Sequence, residues 1–238
     1  MSDGIYPTLG RQTGLLRELN SIAQNIANAS TTGYRAGGMI FSEFVVDAGR
    51  GHPSVSMANA NIERTRQMQG ALEQTGGTFD LAIEGDGFFL VDRAGQQFLT
   101  RAGAFLTGPD GGVVTAEGDP VLDAGGAPVF VPPGSGSIFV APDGTLSADG
   151  QPVAQIGVVT PAEPDRLSRE AGTLFAADAG FEPVESPRVL QGFLEASNVD
   201  PVLEIARMVS VQNAYELGQS FMEREDQRLR SVFRLMEQ

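Results

Sequence analysis

The chain has 238 residues, 41% of them hydrophobic, enough to bury a core in one or two domains. Its 16 basic residues are all arginine against 30 acids, a net charge of −14, and it contains neither cysteine nor tryptophan. These counts exclude disulfide scaffolds, thiolate metal sites, cysteine nucleophiles, Schiff-base lysines and P-loop lysines, and they argue against nucleic acid as a partner, which needs a basic face.

The opening, MSDGIYPTLGRQ, lacks a charged segment followed by an apolar one, so no ordinary secretory signal is expected. Nor does the chain contain the run of about 18 apolar residues that would span a membrane. Residues 4 to 29 predict a helix: Ile5, Leu9, Gln12, Leu16, Leu19, Ala23 and Ile26 recur at threes and fours. Pro7 is tolerated in its first turn. Ser30-Thr31-Thr32-Gly33 should end it, because hydroxyl side chains compete for backbone bonds and glycine suits a left-handed C-terminal position.

Residues 34 to 70 are broken by Gly37-Gly38, Gly49-Arg50-Gly51 and His52-Pro53, and predict an extended connector with one strand. Residues 71 to 195 predict an all-β domain, a barrel or a sandwich, inserted between two helices. Phe79 to Glu84 alternates, Gly87 to Val91 is apolar, and Phe98 to Arg101 and Val113 to Thr115 continue the series. Asp110-Gly111, Asp143-Gly144 and Asp149-Gly150 sit between these runs as hairpin turns. Residues 75 to 195 carry 17 acids against 5 Arg and hold most of the net charge.

A second long helix is predicted from Val199 to Gln238. Asp200 can cap it, Pro201 suits its first turn, and only Gly218 interrupts good helix formers. Its stripe runs through Ile205, Met208, Gln212, Tyr215, Gln219, Met222, Asp226, Leu229, Phe233 and Met236. The spacing averages about 3.5 residues, the coiled-coil period, and the helix would extend roughly 50 Å. Gln212 and Gln219 are polar positions suited to setting register between neighbours. Two arrangements satisfy the paired terminal stripes, an antiparallel hairpin within one chain or packing between chains, and periodicity does not separate them.

Few residues offer chemistry. Glu84 and Asp86 flank Gly85 at a spacing a retaining glycosidase could use, yet Glu-Gly-Asp-Gly reads more simply as a turn between strands. The Asp-Gly pairs lack calcium-loop spacing. His52, the only histidine, is remote in sequence from any triad-like arrangement and is taken as a solvated loop residue. Arg224, Arg228, Arg230 and Arg234 intermix with Glu223, Glu225 and Asp226 as an ion-paired face. Neither an enzyme nor a carbohydrate-binding module has a motif to support it, and no catalytic residue, cofactor or metal is expected.

The run Ala23-Gln24-Asn25-Ile26-Ala27-Asn28-Ala29-Ser30-Thr31-Thr32-Gly33-Tyr34-Arg35 resembles the N-terminal signature of the bacterial flagellar rod and hook proteins. Gly192-Phe193-Leu194-Glu195-Ala196-Ser197-Asn198-Val199, Met208-Val209 and Gln212-Asn213-Ala214-Tyr215-Glu216 resemble its C-terminal segment. Gln69 to Gly76, Asp80 to Phe89 and Thr100 to Phe105 resemble its central signature, in the family's order. Within the family the proximal rod type is the nearest likeness, with the distal rod or hook type as the alternative. Leu217-Gly218-Gln219 departs from the usual pattern, which favours a better helix former.

The resemblance implies an axial subunit of the flagellar basal body. Its terminal helices would build the inner tube of the periplasmic rod, and its β domain would decorate the outside. Its partners would be other rod proteins, copies of itself and the flagellar type III export apparatus, with no membrane insertion. The division expected is residues 1–33 (N-terminal helix), 34–70 (connector), 71–195 (outer β domain) and 196–238 (C-terminal helix). The expected assembly surface comprises Ile5, Leu9, Leu16, Leu19, Ala23, Ile26, Ile205, Met208, Gln212, Tyr215, Gln219, Met222, Leu229, Phe233 and Met236.

Overall fold

A computed structural model describes residues 5–46 and 55–236 of the chain. The fold is α+β: two terminal helices pack on each other, and the chain between them in sequence forms a multistranded antiparallel β region. The chain forms two compact units. One comprises residues 1–27, 37–64 and 200–238, the other residues 28–36 and 65–199.

In the first unit, α1 spans Ile5–Ala27 and α2 spans Pro201–Met236. Asp200 caps α2, its Oδ1 accepting the backbone N–H of Val202 at 3.0 Å and of Leu203 at 3.1 Å. Such a cap contributes about 1 kcal/mol. The helices run antiparallel, because three polar contacts between them follow opposite chain directions. Gln12 Nε2 donates to the Tyr215 carbonyl at 2.9 Å, Arg207 donates to Glu18 at 2.9 Å, and Asn25 Nδ2 donates to Glu204 at 3.3 Å. Leu15, Ile22 and Val211 are buried between them, joined by Leu19, Ile26, Met208, Ala214 and Tyr215. The antiparallel hairpin is therefore the arrangement within one chain.

The segment read as a connector holds two strands rather than one, Gly37–Val46 and Val55–Thr65, paired as a two-stranded sheet. The Asn25 amide anchors the first of them. Its Oδ1 accepts the Gly37 N–H at 2.9 Å and its Nδ2 donates to the Gly37 carbonyl at 2.8 Å, as a neighbouring strand would. The expectation for His52 and the glycines around it falls outside the described residues.

In the second unit a six-stranded antiparallel sheet runs in the order Leu167–Ala171, Leu174–Ala177, Gln96–Thr100, Phe88–Arg93, Val158–Pro161 and Phe181–Pro183. The run from Phe88 to Val91 is apolar without alternation because both faces of its strand are covered. Phe88 and Leu90 join one cluster with Leu99 and Phe175, while Phe89 and Val91 join the main core with Leu81, Phe105 and Leu146. A three-stranded sheet, Ile138–Val140, Thr145–Ala148 and Gln151–Gln155, contains two of the Asp-Gly turns. Asp149 and Gly150 both take positive φ, 51° and 78°, the geometry of a two-residue hairpin turn whose twist matches its strands.

Candidate assembly interface

The two helical stripes divide between the inside and the outside of the hairpin. With Leu15 and Val211 as inward markers, Leu19 and Tyr215 stand four residues further on and turn into the seam. Ile26, Met208 and Met222 are likewise half-buried. Leu9, Leu16 and Ala23 stand six residues before, one after and eight after Leu15. Ile205, Gln212 and Gln219 bear the same offsets to Val211. At about 100° per residue all six lie roughly 80–120° from the seam. All six are exposed, Leu9 by 54%, Leu16 by 45% and Ile205 by 52%. Antiparallel helices of the same hand turn this offset to the same side of the pair. The six residues thus belong to one outward face carrying three large apolar side chains. Of Ile5, Leu229, Phe233 and Met236 only the helical backbone is described.

Within α2, Arg228 pairs with Glu225 at 2.9 Å and Arg230 with Asp226 at 2.7 Å, an ion-paired face as expected. Gln219 donates to the Tyr215 hydroxyl of its own helix at 3.2 Å. Among the described residues no helix is long and apolar enough to cross a membrane.

The β unit contains a feature the sequence reading missed. Arg35, Arg101 and Glu195 are buried together, exposed by 1%, 2% and 1%. Arg35 Nη2 lies 2.9 Å from Glu195 Oε1, and Arg101 Nη1 donates to Glu195 Oε2 at 3.1 Å. Arg35 also donates to the Gln67 carbonyl, and Arg101 donates to the carbonyls of Ile83 at 3.3 Å and Gly85 at 2.6 Å. Glu195 Oε1 further accepts the Gly70 N–H at 3.0 Å. Burial lowers the pKa of Arg35, opposed by the charges of Glu195 and Asp86. Burial pushes Arg101 down to about 10, again opposed by Glu195, with Arg35 adding to the depression. At neutral pH both guanidiniums remain charged, so the cluster of three side chains carries one excess positive charge.

Five of the runs that carry the family resemblance each supply a piece of this clasp: the Gly33-Tyr34-Arg35 run, the Gln69-Gly70 run, the Ile83-Glu84-Gly85 run, the Thr100-Arg101 run and the Leu194-Glu195 run. Glycines on three of these segments make close approaches, Gly33 among them. A Cβ on Gly70 would fall 1.9 Å from the Ala196 carbonyl oxygen, and one on Gly103 would fall 1.7 Å from that of Leu81. Arg169 covers the same segment, its guanidinium 4.5 Å from the Tyr34 ring centroid and 4.8 Å from that of Phe175. The available signal was an arginine and a glutamate inside otherwise apolar or small-residue runs.

Glu84 ion-pairs with Arg188 at 3.1 Å on the surface, and Asp86 is exposed. Gly85 and Gly87 take φ of 94° and 122°, so the stretch is a turn. Among the described residues no cluster of His, Cys, Asp or Glu is arranged to hold a metal ion.

Three family profiles match the chain. "Flagella basal body rod protein" covers residues 8–35, "Flagellar hook protein FlgE/F/G D1 domain" covers residues 82–148, and "Flagellar basal body rod FlgEFG protein C-terminal" covers residues 190–235. The chain is 38% identical to the flagellar basal-body rod protein FlgF of Mesorhizobium japonicum over 219 residues, 91% of this chain and 90% of the relative. It is 37% identical to FlgF of Caulobacter vibrioides over the same shares of the two chains. It is 29% identical to the basal-body rod protein FlgG of Bacillus subtilis over 99% of each chain.

Proposed function

The chain belongs to the flagellar basal-body rod protein family, and from that premise we propose that it is a proximal rod subunit whose helical hairpin joins other rod proteins and copies of itself. It is a structural protein, homologous to FlgF and FlgG. The observation that carries the proposal is the outward face of Leu9, Leu16 and Ile205, left exposed after the intramolecular seam is filled. Solvent-exposed apolar residues grouped on one face favour association. Contacts between unlike patches generate a helical stack when the rotation between subunits does not close. The fifteen stripe residues named from the sequence remain the proposed assembly surface, the half-buried ones acting through the hairpin that presents the exposed ones. Residues 71–195, with their surplus of acids, are assigned to the outside of the rod. Delivery is assigned to the flagellar type III export apparatus and the location to the periplasmic rod of the basal body.

Leu16→Asp tests the reading. Leu16 lies outside the seam, so a charge there leaves the hairpin folded and places an unpaired carboxylate in the interface. The expected result is a soluble, normally helical protein that fails to restore motility or to appear in isolated basal bodies of a strain lacking its own copy. A motile strain with normal basal bodies would overturn the proposal. The proximal assignment over the distal one is supported by the two FlgF relatives and is checked by labelling the protein in isolated basal bodies.

A further inference from the structure

We infer that Gln12 and Gly218 are a matched pair that sets the register of α1 on α2. Gln12 is only 5% exposed, and its Nε2 donates to the Tyr215 carbonyl at 2.9 Å. A Cβ on Gly218 would fall 1.9 Å from that nitrogen and 3.0 Å from Cδ. The amide therefore occupies the space that any other residue at 218 would fill. Gly218 is the only glycine in α2, so this notch occurs once along the 36-residue helix. Sliding α1 by a turn in either direction would bring the amide against a side chain.

Two features separate this from ordinary packing. A glycine in a helix interior is unfavourable relative to alanine, so its place in the middle of α2 calls for a local reason. The Gln12 Oε1 is also buried with no hydrogen-bond partner among the described residues. A half-satisfied buried amide is a poor source of stability, whereas a buried polar group in a helical seam is a well-attested device for fixing alignment. The register it sets fixes where Leu9 and Leu16 stand relative to Ile205 along the outward face. That consequence rests on the function proposed above; the register itself does not.

The absence of cysteine from the chain makes thiol cross-linking a clean readout. In purified full-length protein carrying Glu18→Cys and Arg207→Cys, trapping by a short bis-maleimide that spans the gap left by the two long side chains should fall several-fold on adding Gly218→Ala and recover on adding Gln12→Ala as well. In parallel, without the cysteines, Gln12→Ala should lower the denaturation midpoint when residue 218 is glycine. It should leave the midpoint unchanged or raise it when residue 218 is alanine. If Gly218→Ala acts only through helix propensity, it will raise the midpoint equally with either residue at 12 and leave trapping intact. Either of those results overturns the inference. Both measurements are made on the isolated chain, so they can fail while the assembly test with Leu16→Asp succeeds, or the reverse.

Discussion

Arg35 and Glu195 meet at 2.9 Å, each 1% exposed, although one lies shortly after α1 in sequence and the other shortly before α2. With Arg101 on its second oxygen, Glu195 is, among the described residues, the sole carboxylate in direct contact with these two buried guanidiniums. Glu195→Gln leaves both cations without their counter-charge while preserving shape, and should destabilise the β unit by about 3–5 kcal/mol. Arg35→Met removes the excess positive charge and leaves a neutral Arg101–Glu195 pair, so it should cost less. Denaturant unfolding followed by circular dichroism gives the ranking. A milder effect for Glu195→Gln than for Arg35→Met would mean that packing rather than charge governs the clasp.

Gly103 lies on the Arg101 segment, where the backbone passes against Leu81. An added Cβ would meet the Leu81 carbonyl oxygen at 1.7 Å and Phe89 at 3.1 Å. Main chain cannot rotate away as a side-chain tip can. Gly103→Ala should therefore cost more than about 3 kcal/mol, beyond the usual range for overpacking. Gly95→Ala, where an added Cβ would meet nothing, supplies the control for positive-φ strain alone. Comparing the two thermal midpoints separates close approach from backbone conformation.

The Asp143 carboxylate accepts the Thr145 N–H at 2.9 Å, and this bond lowers its pKa from the ordinary aspartate value. The ionised form is the one favoured by folding. Its contribution is fully present above the unfolded aspartate pKa and is lost as pH falls through the lowered folded one. An NMR titration should place the Asp143 midpoint below the ordinary value, and Thr145 amide exchange should accelerate only on the acid side of it. A midpoint at or above the ordinary aspartate value would contradict the assigned bond.

What the sequence determined by itself is everything that short-range chemistry controls. The two helices follow from apolar spacing near 3.5 residues, and the start of α2 follows from Asp200-Pro201, whose side-chain and ring geometry act within one turn. Asp149-Gly150 declares its hairpin because few residues besides glycine, asparagine and aspartate tolerate positive φ in succession. The turn around Gly85 is legible for the same reason.

Only the tertiary structure decided which side of each helix faces inward. Leu15 and Leu16 on α1, and Val211 and Gln212 on α2, stand on adjacent lines about 100° apart, and spacing alone does not rank them. The choice comes from the partner helix, where Leu15, Ile22 and Val211 interlock and leave Leu9, Leu16 and Ile205 outside. The clasp was equally hidden. Arg35, Arg101 and Glu195 are ordinary surface residue types until long-range pairing removes them from water, and a charge becomes tolerable there only because its partners arrive from distant parts of the chain.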